Sequence, residues 1–327
     1  MKLTNLIGTD QPNQTKNTFI SDVIVGLSAA QKSISAKYFY DDIGSELFQK
    51  ITQHPDYYPT KTEFSILEKI NSILPSILNE PEIDIIELGA GDGHKSQLII
   101  NGFLDSGCKV NFYPIDISEK AMELLAQNLS INKQLHIHGV VADYFNGLNH
   151  LKKISNNKKL VLFLGSNIGN FNQTETNVFL SQLSAGLNQD DYVLIGFDLK
   201  KDPNILNKAY NDSDGLTRDF NLNLLARINR ELAGNFNLAA FQHYGFYNPV
   251  LGAMESYLIS LKDQEVRLAK TNQTFHFKAH ELMHLEYSQK FSTAGMTQLA
   301  TSNGFEIAEL FFDEKNYFAD ALWQVKT

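Results

Sequence analysis

Between residues 83 and 199 the chain alternates short, apolar, β-rich runs with helix-like stretches, and this rhythm restricts the possible folds more than any other feature. The runs are "IDIIEL" (83–88), "VNFYPID" (110–116), "LHIHGVVA" (135–142), "KLVLFLG" (159–165) and "YVLIGFDL" (192–199). Helical segments such as "SEKAMELLAQNLSIN" (118–132) and "QTETNVFLSQLSAGL" (173–187) lie between them. The pattern is the βαβ repeat of a parallel, doubly wound α/β sheet. Because the runs are almost continuously apolar, helices are expected on both faces of that sheet. With 327 residues, 43% of them hydrophobic, the chain can build one large domain or two modest ones.

After "IGFDL" the rhythm breaks. A polar helical region, 203–236, precedes strand-like stretches at 255–261, 265–270, 274–278 and 284–291, as an inserted second lobe would. The α/β pattern resumes with a helix, "TAGMTQLATSNG", and two last strands, 305–313 and 319–326, expected to close the sheet as a hairpin. Residues 17–80 are mostly helical by pattern and include the aromatic-rich "KYFYDDIGSELFQKITQHPDYYPTKTE". The expected organisation is a helical segment over 1–80 packing with the substrate lobe, a cofactor-binding core over 81–200, an inserted lobe over 201–291 and a return to the core over 292–327.

Several classes of function are disfavoured. The first residues show no apolar signal-peptide region and no run approaches the roughly 20 apolar residues of a membrane helix, so a cytoplasmic protein without a membrane partner is expected. A net charge of −9 argues against a nucleic-acid partner, and the one basic cluster, "KKISNNKK" at 152–159, reads as a solvated face. The single cysteine, Cys108, permits no intrachain disulfide or cysteine cluster and suits a buried or turn position. His276, His280 and His284 are spaced by four, but the local pattern is strand-like, and His136 with His138 suits a partly buried strand face; no metal is expected. "LGSNIGN" is not a nucleophile elbow, because Ser166 directly follows Gly165. A monomer acting on a small molecule is expected.

The first strand runs into Gly89, Gly91 and Gly93, where glycine lets the chain turn sharply and lets a ligand lie against backbone. A dinucleotide fingerprint would need its third glycine one residue later, and Glu87 would repel a phosphate, which disfavours a nicotinamide oxidoreductase. A cationic, phosphate-free ligand is favoured, and S-adenosylmethionine fits. Asp116 ends the second run, where a carboxylate can accept both ribose hydroxyls. Asp143 and Tyr144 follow the third, next to an adenine amino group and its ring. In "LEYSQKF", residues 285–291, Glu286 and Ser288 project from one strand face; a solvated edge and a ligand-reading pair are both open readings.

Taken together, "FYDDIGSELFQKITQHPDYYPTKTE", "ELGAGDGHK", "FLGSNIGNF", "DLKKDPNILNKAYNDSDGLTRDFNLNLLARINREL" and "EYSQKF" resemble the histidine-specific S-adenosylmethionine methyltransferases of ergothioneine biosynthesis, from about residue 17 to the C-terminus. The resemblance implies a Rossmann-like class I methyltransferase sheet with an inserted α+β amino-acid-binding lobe, and stepwise methylation of the α-amine of histidine to the betaine. It implies that Gly89, Gly91 and Lys95 hold the methionine portion of the cofactor, Asp116 its ribose, and Asp143 with Tyr144 its adenine. Tyr40, Phe48 and Tyr57 would close over cofactor and substrate. Asn170 would bind the substrate's amine or carboxylate, with Tyr210 at the carboxylate, and Glu286 and Ser288 would grip the imidazole. One departure is Ser256, which stands where the family usually has a methionine on the pocket wall and implies a roomier or more polar pocket. Tryptophan-type relatives lack the acidic imidazole partner; Glu286 argues against that branch, and Ser256 leaves it open. A module that binds cofactor or amino acid without turnover is the rival from another class.

Overall fold

The computed structural model describes residues 2–6, 11–89, 91, 93–117, 119–129 and 132–326. The strands among them are β1 (Lys2–Asn5), β2 (Glu82–Leu88), β3 (Lys109–Asp116), β4 (Leu135–Val141), β5 (Lys159–Phe163), β6 (Tyr192–Asp198), β7 (Phe241–Asn248), β8 (Ala253–Ser260), β9 (Gln264–Leu268), β10 (Gln273–Phe277), β11 (Leu282–Gln289), β12 (Phe305–Phe312) and β13 (Phe318–Val325). The chain divides into two compact units, one of residues 1–9, 61–200 and 291–327, the other of residues 10–60 and 201–290. Residues 61–80, grouped by sequence with the N-terminal helical segment, therefore lie in the first unit.

The first unit carries an eight-stranded sheet in the order β1-β4-β3-β2-β5-β6-β13-β12. Strands β1 to β6 pair in parallel, and β13 enters antiparallel between β6 and β12. This is the expected Rossmann-like sheet, closed by the expected hairpin. Period-2 alternation divides each central strand between two cores. Ile83 and Ile85 of β2, with Leu160 and Leu162 of β5, pack with Ile66, Ile99 and Phe103 from helices on one face. Ile86, Leu88, Val161 and Phe163 pack with Leu148, Phe179 and Trp323 on the other. Burying each such side chain fully contributes about 1.5–3 kcal/mol, so the apolar runs are what makes this sheet central.

The second unit holds a three-stranded sheet, β11-β8-β7, and the hairpin β9-β10. The helices Asp42–Gln53 and Leu216–Leu232 belong to the same unit, whose core includes Phe39, Phe220, Leu224, Leu258 and Met283. Asp41 caps the first of these helices by accepting from the Gly44 amide at 2.8 Å. It also accepts from Asn223 Nδ2 at 2.8 Å and pairs with Arg230, which fixes the helix start against its neighbour.

Three local expectations change. "KKISNNKK" is solvated only in part: Lys153 is exposed, but Lys159 is buried, donating from Nζ to the Ser155 and Asn157 carbonyls, and Lys152 donates to the Ala185 and Leu187 carbonyls at the end of the helix Gln173–Ala185. His136 is exposed rather than core, and His138 bonds Thr4 Oγ1 of β1 at 2.7 Å. Strands β1 and β7 were not anticipated. Cys108 is buried, and no group of histidines, cysteines or acids among the described residues could hold a metal.

Candidate active site

In the first unit the strand ends gather the cofactor candidates. Gly89, Gly91 and Gly93 all have positive φ, at 74°, 54° and 78°, the left-handed region that favours glycine. A Cβ on Gly89 would meet the Tyr144 hydroxyl and one on Gly93 the Leu125 side chain, whereas one on Gly91 would meet nothing within 4 Å. Among the described residues, then, Gly91 has space beside its Cα, and Gly89 is walled by Tyr144. Asp116 ends β3; burial, with the Asp116 charge adding to it, pushes the Tyr144 hydroxyl up to about 12. Asp143 is the N-cap of the helix Tyr144–Ile154, accepting from the Asn146 amide at 3.0 Å and from Asn146 Nδ2 at 2.6 Å.

Lys95 stands in the first turn of the helix His94–Asp105 and pairs with Glu63, whose other oxygen accepts from the Gly165 amide at 2.6 Å. Burial lowers the Lys95 ammonium and the carboxylates of Glu63, Asp320 and Glu87 more than offset it, for a net upward shift. Asp320, buried on β13, is pushed well upward by desolvation and by Glu63. Neither of its oxygens has a hydrogen-bond partner among the described residues. Glu63 and Asp320 were not singled out from sequence. Asn170 ends the short helix Asn167–Asn170 after β5 and is exposed.

The second unit gathers the aromatic and substrate candidates. Tyr40 meets Phe48 edge to face at 5.4 Å, and Phe48 meets Tyr57 at 6.2 Å. Phe220, which sequence reasoning missed, lies 5.7 Å from Tyr40 and 5.8 Å from Phe48. Its signal was available: an aromatic on the apolar side of the helix Leu216–Leu232.

On β11 the register shifts between His284 and Glu286, so Leu285 is an extra residue. A bulge of this kind re-aims the side chains after it. Here it sets Glu286 opposite Ser256 of β8 and Ser288 opposite Met254. Ser256 is fully buried and its hydroxyl reaches the Glu286 carboxylate at 3.5 Å. Desolvation pushes the Glu286 carboxyl up to about 7, against the downward pull of Lys290 and Ser256. Ser288 is buried, and Lys290, 1% exposed, donates to Ser288 Oγ at 2.9 Å and to Tyr210 Oη at 3.1 Å. The Tyr210 carbonyl accepts from His243 Nε2 at 2.9 Å, while His243 Nδ1 accepts from Asn221 Nδ2 at 2.7 Å. Burial lowers His243, consistent with a neutral ring held in one tautomer. Lys290 and His243 were also missed, although 286, 288 and 290 are polar at every second position.

The sequence model of the histidine-specific, S-adenosylmethionine-dependent methyltransferases matches residues 19–325. The chain belongs to this family. It is 36% identical over 272 residues to a histidine N-α-methyltransferase of Mycolicibacterium smegmatis, covering 83% of each chain. It is 33% identical over 302 residues to the protein of that name from Mycobacterium tuberculosis, covering 92% of this chain and 93% of the relative. An L-tryptophan methyltransferase of Psilocybe serbica is more distant, at 24% over 312 residues, covering 87% of this chain and 86% of the relative. The methyltransferase is thus an S-adenosylmethionine-dependent N-methyltransferase with a small-molecule substrate, and no helix among its described residues is long and apolar enough to cross a membrane.

Proposed function

We propose that this methyltransferase transfers methyl groups to the α-amine of L-histidine, in steps, to the trimethylated betaine. The observation that carries the substrate assignment is the polar row on β11. Glu286 is set against Ser256 beside the buried Ser288, in a sheet face that also carries Met254, Leu258 and Met283. An imidazole presents one N–H donor and one bare nitrogen, and a carboxylate with a hydroxyl satisfies both. An indole has no ring acceptor and would leave that hydroxyl unsatisfied.

The bound cofactor supplies the methyl group as an activated sulfonium. The open backbone at Gly91 and the acids Asp116 and Asp143 suit a ligand with ribose hydroxyls and an adenine amine, and the acids around Lys95 suit an amino-acid end. Tyr40, Phe48 and Tyr57 offer ring faces to cationic groups, each such contact contributing about 0.5–2 kcal/mol. Tyr210 and Asn170 are assigned to the substrate's carboxylate and amine. The attacking nitrogen must be unprotonated, and its proton leaves to water or a site tyrosine. Catalysis then consists mainly in orientation, which can supply up to about 7–11 kcal/mol. The net charge of −9 supports a small-molecule rather than a nucleic-acid substrate, and we propose a cytoplasmic monomer.

The test is incubation of the purified protein with S-adenosylmethionine and a panel of amino acids, with mass detection of added methyls. Gains of one, two and three methyls on histidine are expected. Preference for tryptophan would overturn the assignment, and binding without turnover would make the protein a sensor.

A further inference from the structure

The polar row on β11 does not end at Ser288. Lys290 lies two residues on, on the same strand face, and its side chain is driven back into the sheet rather than out to water: it is 1% exposed. Its Nζ lies 2.9 Å from Ser288 Oγ, 3.1 Å from Tyr210 Oη and 5.0 Å from the centre of the Tyr210 ring. An ammonium donates three hydrogen bonds and accepts none. Both hydroxyl oxygens therefore accept from Lys290, and the hydrogen of each must point elsewhere.

We propose that Lys290 is a positioning residue for the histidine site, turning the hydroxyl hydrogens of Ser288 and Tyr210 away from its own ammonium and setting a positive charge at the end of the polar row that carries Glu286. Resting on the proposed function, this role specifies the protonation state the site reads. An outward Ser288 donor requires a bare ring nitrogen, and an ionised Glu286 requires a ring N–H, so neutral imidazole in a single orientation satisfies both. Imidazolium has no bare nitrogen, and indole has no acceptor at all. Tyr210, oriented in the same way, donates to the substrate carboxylate, and the His243 bond to its carbonyl holds the tyrosine's backbone.

The polar groups that share this face with Glu286 are Ser256 from β8, His243 and Tyr247 from β7 and Ser288 from its own strand, with Lys290 one residue past the end of β11 and Tyr210 from the helix Pro203–Tyr210. Asn221 of the helix Leu216–Leu232 is buried and reaches the face through His243. His243 is held neutral by burial. Lys290 is the cation whose charge acts on Glu286, opposing the desolvation that would neutralise it.

The experiment compares the pH dependence of kcat/KM for histidine in wild type, Lys290→Met, Lys290→Gln, Glu286→Gln and the double variant Glu286→Gln/Lys290→Met. Cofactor affinity, together with the circular-dichroism melt of the whole chain, serves as the folding check. In the Met variant the acid limb should move up by about one pH unit and kcat/KM at neutral pH should fall at least about tenfold, with cofactor affinity within about twofold of wild type. Gln, a donor without charge, should shift the limb in the same way, and carries the test if the Met variant fails to bind cofactor. In the Glu286→Gln background the limb should not move on removing Lys290. A folded Lys290 variant with the wild-type acid limb overturns the role, as does an equal shift with and without Glu286. Wild-type protein that methylates another amino acid but not histidine overturns the proposed function itself.

Discussion

Glu286 is where sequence and structure bear most directly on substrate choice. From sequence it is either a solvated edge or a ligand reader; its half-buried place opposite the buried Ser256, with desolvation pushing its carboxyl up to about 7, supports the proposed reader. Glu286→Ala should lower kcat/KM for histidine by about ten- to a hundredfold, the worth of a charged hydrogen bond of about 1.5–3 kcal/mol. It should cost tryptophan little, so the measurement is the ratio of the two kcat/KM values in both proteins; an unchanged ratio would remove Glu286 from ring recognition. Ser256, read from sequence as making the pocket roomier or more polar, places a hydroxyl 3.5 Å from the Glu286 carboxylate. Asp320 was illegible because an acid in "ADALWQVK" reads as an alternating surface position, yet it lies at 0% exposure. Its carboxyl is pushed upward, so the folded state holds a proton that the unfolded state releases. Its contribution to stability is therefore present below the ordinary carboxylate pKa and lost as pH rises through the folded value. Asp320→Asn should make unfolding free energy less dependent on pH on the alkaline side of that range. Denaturant titrations at a series of pH values would show it, and parallel pH curves would mean that Asp320 is ionised in the fold.

At the scale of elements, strands β2 to β6 were legible because burial on both faces demands continuous apolar runs. Strand β7, "FQHYGFYN", was not, since polar residues and Gly245 interrupt it. The structure gives Gly245 a reason: a Cβ there would press on the Tyr210 carbonyl at 3.2 Å. The bulge at Leu285 was equally invisible, because a strand pattern read at period 2 contains no sign of one extra residue. Asp143 shows how one residue can answer to two demands. Sequence assigned it to adenine, and structurally it caps the helix Tyr144–Ile154. Asn is as good an N-cap as Asp, so Asp143→Asn should keep stability within about 0.5 kcal/mol, whereas Asp143→Ala should cost about 1 kcal/mol. If the carboxylate also reads the adenine amine, both variants should weaken cofactor binding alike in calorimetry. Weakening by Ala alone would reduce Asp143 to a helix cap.

At the scale of the whole molecule, the two units divide the chemistry in a way that ligands can report separately. Of the cofactor candidates, Gly89, Gly91, Lys95, Asp116, Asp143 and Tyr144 belong to the unit of residues 61–200, as does the substrate candidate Asn170, whereas Tyr40 and Phe48 belong to the other with Tyr57, Tyr210, Ser256, Glu286, Ser288 and Lys290. A ligand that binds only the folded state stabilises what it touches by about 2.7 kcal/mol at a hundred times its Kd. Local opening, which exposes amides to exchange, is suppressed where that free energy is felt. Hydrogen exchange should then show the added cofactor slowing amides at 89–95, 115–117 and 142–147. Histidine added with S-adenosylhomocysteine, which permits no turnover, should slow those at 210–217 and 284–290. Unfolding followed by a single probe would blur the two, since a chain of two compact units need not melt in one step. Protection of 284–290 by histidine that disappears in Glu286→Ala, with the pattern at 89–95 unchanged, is the result expected if the substrate's ring is read by β11. Equal protection in both proteins would place the ring elsewhere in the second unit and leave Glu286 as a half-buried structural acid.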